Sequence, residues 1–213
     1  MALPAFGKTI NLTTKNTVRL SGEITAVNMR NTSIELSKAV QNRRSCATPL
    51  YLVIDSSGGS IDAGNKFIRY AKTICNLQTL TLDGASMACA IAMQLPGRRY
   101  TTDISTLMFH RARATFSGQV ESGEVETRLA LEKTVIRHME VLNAKRIGIT
   151  LKDYKAKVVN EWLLYGQQAV DAGVMDEIVD VKCSNELQNK TVNKTVETLF
   201  GLQQITTSAC PLI

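Results

Sequence analysis

Three short stretches carry residue types that can do chemistry together. The first is Gly84-Ala85-Ser86-Met87-Ala88, a serine flanked by small residues where the local pattern passes from strand to helix. Small neighbours leave room for an acyl group to reach the hydroxyl. A serine at the first turn of a helix also feels the positive helix end, and the Met87 N–H there is free to stabilise an oxyanion. The second is Asp55-Ser56-Ser57-Gly58-Gly59-Ser60, whose paired glycines let backbone N–H groups face a ligand with no Cβ in the way. The third is His110, one of 2 histidines, at the end of the strand-like run Thr106 to Phe109. A nucleophilic serine needs a base. His110 would stand at the same sheet edge as the other two strand ends, whereas His138 lies mid-helix among Lys133, Arg137 and Glu140, a solvated position. Each stretch alone has a plainer reading: a two-glycine turn, a serine that caps a helix, a hydrogen-bonded histidine. The glycine spacing is neither a Walker A loop nor a dinucleotide fingerprint.

These residues must be positioned by the elements around them. Val18 to Leu20 reads as a strand, and Ala26, Met29, Ser33, Leu36 and Val40 recur at helical spacing to about Gln41. After a polar connection, Leu50 to Ile54 is a continuous apolar run, the signature of a buried strand. Phe67, Ile68, Ala71 and Ile74 mark a helix face, Thr79 to Leu82 a strand, Ser86 to Leu95 a helix, and Thr106 to Phe109 a further strand. Strand and helix alternating in this way predict parallel crossovers and an α/β core. From Glu121 to about Ile147 a long charged helix follows, with Val125, Leu129, Ile136, Met139 and Leu142 in step; its length predicts that it projects or packs on another subunit. Helices over Leu151 to Val159 and Gln167 to Ala172 precede a last strand, Glu177 to Val181. Residues 1–17 read as an arm or edge strand, 18–183 as the main domain, and 184–213 as a peripheral tail.

With 213 residues, 44% apolar and 21% charged, the chain is long enough for a substantial core and is not a disordered composition. The longest nearly apolar stretch, Met87 to Leu95, is too short to span a bilayer, so no membrane partner is expected. The charge of +6 is scattered along the chain with few aromatics between basic residues, which argues against nucleic-acid binding. The first twenty residues lack the basic start and apolar core of a secretion signal, so the chain reads as cytoplasmic. Five cysteines, Cys46, Cys75, Cys89, Cys183 and Cys210, follow no metal-ligand or CxxC spacing, and their odd number predicts buried free thiols. In an oxidising setting Cys183 and Cys210 would be the first pair to test.

Four blocks, LYLVIDSSGGSIDAG, LDGASMACAIAM, STLMFHRA followed by SGQ, and EWLLYGQQAVDAGVMDEI, resemble in order and spacing the proteolytic subunit of the Clp protease and its relatives. The similarity runs from about Val18 to Val181. It implies an α/β ClpP/crotonase-like spiral of ββα units with a protruding handle helix, here about residues 112–147. It also implies a Ser-His-Asp triad, no cofactor, and a homo-oligomeric double ring enclosing peptide or unfolded protein substrate. Ser86 matches the family nucleophile and His110 its base; Gly58 and Gly59, with the Met87 N–H, match the oxyanion hole. Counting back from Ala169 puts Glu161 where the family has aspartate, with Asn160 beside it as the next candidate. Gly118-Gln119 matches the start of the handle. Ser57 stands where the family has proline and Ala88 where it has glycine, and the arm ahead of the first strand is short, which weakens the expectation of a ring ATPase partner.

The resemblance implies a serine endopeptidase. An impaired relative that serves as an assembly subunit is the alternative within the same fold. A crotonase-like acyl-CoA enzyme would share the core but has no need of both Ser86 and His110. A Ser/Lys dyad would require Lys145 or Lys157 at Ser86 and would leave His110 unexplained.

Overall fold

The computed structural model describes residues 7–43, 45–113, 121–198 and 201–212. Gly118-Gln119, expected to open the handle, lies outside the described residues. In chain order the elements are β1 (Thr9–Leu12), β2 (Thr17–Ser21), α1 (Ala26–Gln41), β3 (Leu50–Ser56), α2 (Ile61–Ala71), β4 (Leu77–Ala85), α3 (Met87–Gln94) and β5 (Arg99–Phe109). Then come α4 (Ser122–Ile147), α5 (Leu151–Lys157), a 3-10 turn (Val158–Asn160), β6 (Trp162–Tyr165) and α6 (Gln167–Asp171). β7 (Glu177–Ile178), β8 (Asp180–Cys183), α7 (Asn185–Asn189), β9 (Thr191–Thr198) and β10 (Gly201–Ser208) complete the chain.

The main sheet has the order β2-β3-β4-β5-β6, with β7 on the other part of β5. The pairs from β2 to β5 are parallel, as the alternation of strands and helices requires, and β6 is antiparallel to β5. Alternate residues along each strand serve opposite faces. Leu50, Leu52 and Ile54 of β3 pack with Phe67 of α2 and Ile91 of α3 in the larger core. Tyr51 and Val53 turn to a second core with Leu80, Tyr100, Ile10 and Leu12. β1 and β8 form a parallel pair over that second face, so part of the N-terminal arm is a strand. Local signals start the helices where the chain needs them: the Thr25, Ser60 and Thr150 side chains each accept an N-terminal helix N–H. The left-handed Gly148 ends α4.

The C-terminal half is pinned to the sheet by charge. Arg99, 5% exposed at the start of β5, donates its backbone N–H to Asp176 Oδ2 at 2.8 Å, and its guanidinium bonds both carboxylate oxygens. Burial would raise the Asp176 pKa, but the hydrogen bonds and charge of Arg99 outweigh it and hold the carboxyl below its ordinary range. The stability this depressed carboxylate contributes is therefore present at neutral pH and is lost as pH falls through its folded-state value.

The cysteines are a correction. Two disulfides, Cys46–Cys75 and Cys183–Cys210, replace the expected free thiols, and only Cys89 is unpaired, buried in α3. The sequence separations of 29 and 27 gave no spacing signal; the fold itself brings the Cα atoms to 5.8 and 6.0 Å. The first bridge ties the α1–β3 connection to the α2–β4 connection. The second closes the tail onto the end of β8, where Leu187 and Cys210 are buried in the second core. Part of the tail expected to be peripheral thus belongs to the fold, with β9 and β10 as an antiparallel hairpin beyond it. Burial raises the Cys89 thiol pKa to about 12, which leaves it an inert core group.

Candidate active site

The β4–α3 junction holds Ser86 in a conformation that side chains rarely adopt, φ 55° and ψ −117°. Its backbone N–H donates to Met108 O of β5 at 2.8 Å, and its carbonyl accepts from Ala90 N at 3.2 Å. Its hydroxyl makes no capping hydrogen bond to α3, so the plainer reading of Ser86 as a helix cap does not hold. Because Ala85 pairs with Met108, the parallel register brings the end of β5 alongside the serine. His110 follows that strand end, and Ser86 and His110 line one cavity of about 270 Å³. His138 is exposed on α4, as its charged neighbours suggested.

The two glycines are placed against this turn. A Cβ on Gly58 (φ +90°) would lie 2.5 Å from Ala85 O and 2.7 Å from Ser86 Cβ, so only glycine lets the loop approach the serine. Ile24 forms a parallel bridge to Gly59 by donating to Gly58 O and accepting from Ser60 N. That pattern turns the N–H of Gly59 itself away from Ile24. Among the described residues neither the Gly59 nor the Met87 N–H is taken by another group, while the Gly58 N–H donates to Ser56 Oγ at 3.2 Å. Ser56 Oγ donates in turn to Gly22 O, which fixes the loop. Gly59 and Met87 both line the cavity with Ser86.

Glu161 sits between the 3-10 turn and β6, exposed, with φ 63°. The antiparallel register pairs Phe109 with Trp162, so Glu161 precedes the residue paired with the last residue of β5, and His110 follows that last residue; Glu161 itself does not line the cavity. No hydrogen bond joins Ser86 to His110, or His110 to Glu161 or Asn160, in this structure. The structure brings Ser86 and His110 into one cavity and leaves Glu161 outside its lining, an open arrangement of the three. Lys157 lies over the Trp162 ring at 4.7 Å, and no lysine lines the cavity among the described residues, so the structure gives a Ser/Lys dyad no support.

Farther in, the cavity is closed by Ala90 of α3, Met139 and Asn143 of α4 and Tyr154 of α5. Asn143 and Tyr154 were missed in the sequence. The available signal was a polar residue at Asn143, four positions after Met139 and therefore on the packed face of the helix. Among the described residues no group of three His, Cys, Asp or Glu side chains is placed to hold a metal ion.

Parallel strands that bring a serine and a histidine to one cavity, beside unengaged backbone amides, fit a serine-type hydrolase of the α/β class. The chain belongs to the Clp protease family, whose pattern it matches over residues 7–182, and it is a serine-type peptidase of that family. It is 28% identical over 136 residues to the ATP-dependent Clp protease proteolytic subunit 1 of Chlamydia trachomatis serovar D, covering 62% of this chain and 70% of that protein. The proteins of the same name from Chlamydia trachomatis serovar A and Chlamydia muridarum match with the same identity and coverage. Members of the family form oligomeric rings that degrade substrates, and no helix among the described residues is long and apolar enough to cross a membrane.

Proposed function

We propose that this chain is an endopeptidase that cleaves peptides or unfolded proteins inside a homo-oligomeric double ring. Ser86 Oγ attacks the carbonyl, His110 takes its proton and returns it to the leaving amine, and Glu161 orients the imidazole and stabilises its charged form. The N–H groups of Gly59 and Met87 receive the oxyanion, with Gly58 keeping the loop close enough for them to do so. The observation that carries this reading is the strained Ser86 turn, its hydroxyl uncommitted, in the same cavity as His110 and two open amides. The open triad is compatible with activity because catalytic hydrogen bonds in unliganded sites are commonly long and tighten with substrate.

A fluorophosphonate probe tests the assignment. An adduct confined to Ser86, located by peptide mass spectrometry and absent in Ser86→Ala, is the expected result. No adduct in folded, assembled protein would favour the second reading, a catalytically impaired assembly subunit. That reading is supported by the open triad and by glutamate at the third position.

The relatives are named as ATP-dependent, and a ring ATPase is the partner that name suggests for this chain. Against it, Thr9–Leu12 of the arm is engaged in a strand pair with β8, a use of that segment in the fold itself. The disulfides bear on location. Reducing compartments rarely permit two structural bridges, so they support an oxidising compartment over the cytoplasm expected from the sequence. Alkylation under denaturing conditions is expected to modify one thiol per chain, Cys89. Replacing Cys46 and Cys75 by serine is expected to cost about 3–4 kcal/mol, from the loop the bridge closes, read as a lower urea midpoint. Five alkylated thiols in unreduced protein under the same denaturing conditions would restore the cytoplasmic reading.

A further inference from the structure

The inner end of the Ser86 cavity is polar where a site for an aliphatic side chain would be dry. Asn143 is 1% and Tyr154 3% exposed, whereas Ser86 and His110 are half-buried, so the first pair forms the deep end and the second the mouth. Asn143 Nδ2 donates to the Tyr154 hydroxyl at 3.2 Å, and Asn143 Oδ1 accepts one long bond, 3.4 Å, from Gln94 Nε2. This leaves hydrogen-bonding capacity unused. Among the described residues the Tyr154 O–H has no acceptor, the second Asn143 N–H has none, and Asn143 Oδ1 has a lone pair to spare. Burial raises the Tyr154 pKa to about 12, so its proton is present across the physiological range.

The walls between the two ends are apolar, from Ile61, Ala90, Phe109 and Met139. The described lining has no carboxylate to match a cation, and its charged member, Arg113, is exposed. A ligand group that suits the deep end is neutral, reaches it through an apolar stem, and both donates and accepts. A carboxamide does this; a leucine or methionine side chain would cover the polar atoms without satisfying them, which is costly for buried groups.

Resting on the peptidase reading above, we propose that Asn143 and Tyr154 determine specificity, selecting glutamine or asparagine as the residue on the N-terminal side of the scissile bond. A site built to bond a polar group discriminates strongly against analogues that lack it.

The test is a peptide series that varies only at that residue (Gln, Asn, Leu, Met, Glu, Lys), with kcat/KM measured on the assembled protein and fluorophosphonate labelling of Ser86 followed in parallel. Glutamine or asparagine is expected to exceed leucine by about tenfold or more, the equivalent of one well-made hydrogen bond. Asn143→Leu is expected to reverse the order. Should that variant fail to fold, Tyr154→Phe removes only the hydroxyl and is expected to lower the Gln-to-Leu ratio severalfold. A wild-type preference for leucine, methionine, glutamate or lysine overturns the proposal, as does a ratio unmoved in both variants; cleavage in those cases leaves the peptidase reading standing. Labelling of Ser86 with no member cleaved overturns the proposal alone. Neither labelling nor cleavage overturns both.

Discussion

Replacing Ser86 by alanine is expected to lower the peptidase rate by at least about four orders of magnitude, a loss of the size seen when a serine protease loses its nucleophile. The geometry makes the effect specific. The hydroxyl is held at φ 55° by a hydrogen bond from its own N–H to Met108 O and makes no bond to the helix, so its removal costs the fold little. Residual activity would come from the backbone amides of Gly59 and Met87, which do not depend on the side chain at 86. The measurement is single-turnover hydrolysis by assembled wild type and variant, beside their urea unfolding curves. Equal stability with the rate loss assigns the hydroxyl to chemistry. A variant retaining a tenth or more of the activity would place the nucleophile elsewhere.

The frame of this site was legible because parallel strands write themselves plainly. Leu50 to Ile54 is apolar at every position since both faces of β3 are covered, and the glycines after it mark where that strand hands over to a helix. Three strand ends read from local pattern therefore implied one shared edge. Features that depend on distant partners left less trace. Trp162–Tyr165 is too short for a clear period, and its direction is set by pairing with β5. The cysteines gave no spacing signal because their pairing follows from chain crossings 27 and 29 residues apart. Asn143 and Tyr154 look like ordinary helix residues until α4 is packed against α3 and α5 against α4. Their capacity to bond a substrate is a property of that packing, invisible in either helix alone.

Glu161→Gln is expected to lower kcat by at least about 100-fold with KM little changed, and Asn160→Ala by less than about threefold. An amide keeps nearly the same shape but cannot offset the charge that His110 acquires in the transition state. In a well-formed triad the corresponding change costs about four orders of magnitude, and a more solvated carboxylate screens toward a smaller loss. The backbone argues for Glu161 over its neighbour. Among the described residues three non-glycine positions have positive φ: Asn76, a residue type that tolerates it, Ser86 and Glu161. Strain held at a long acidic side chain needs a reason. The register suggests one: the backbone reversal at Glu161 leads into Trp162, which pairs with Phe109, the residue just before His110. Asn160 belongs to the preceding 3-10 turn and lies a position further from that register. If Asn160→Ala proves the damaging change and Glu161→Gln the mild one, the amide is the orienting group, and stabilisation of the imidazolium must come from elsewhere. If both are mild while Ser86→Ala is severe, Ser86 and His110 act without a third member, and the glutamate is only the residue that turns the chain into β6.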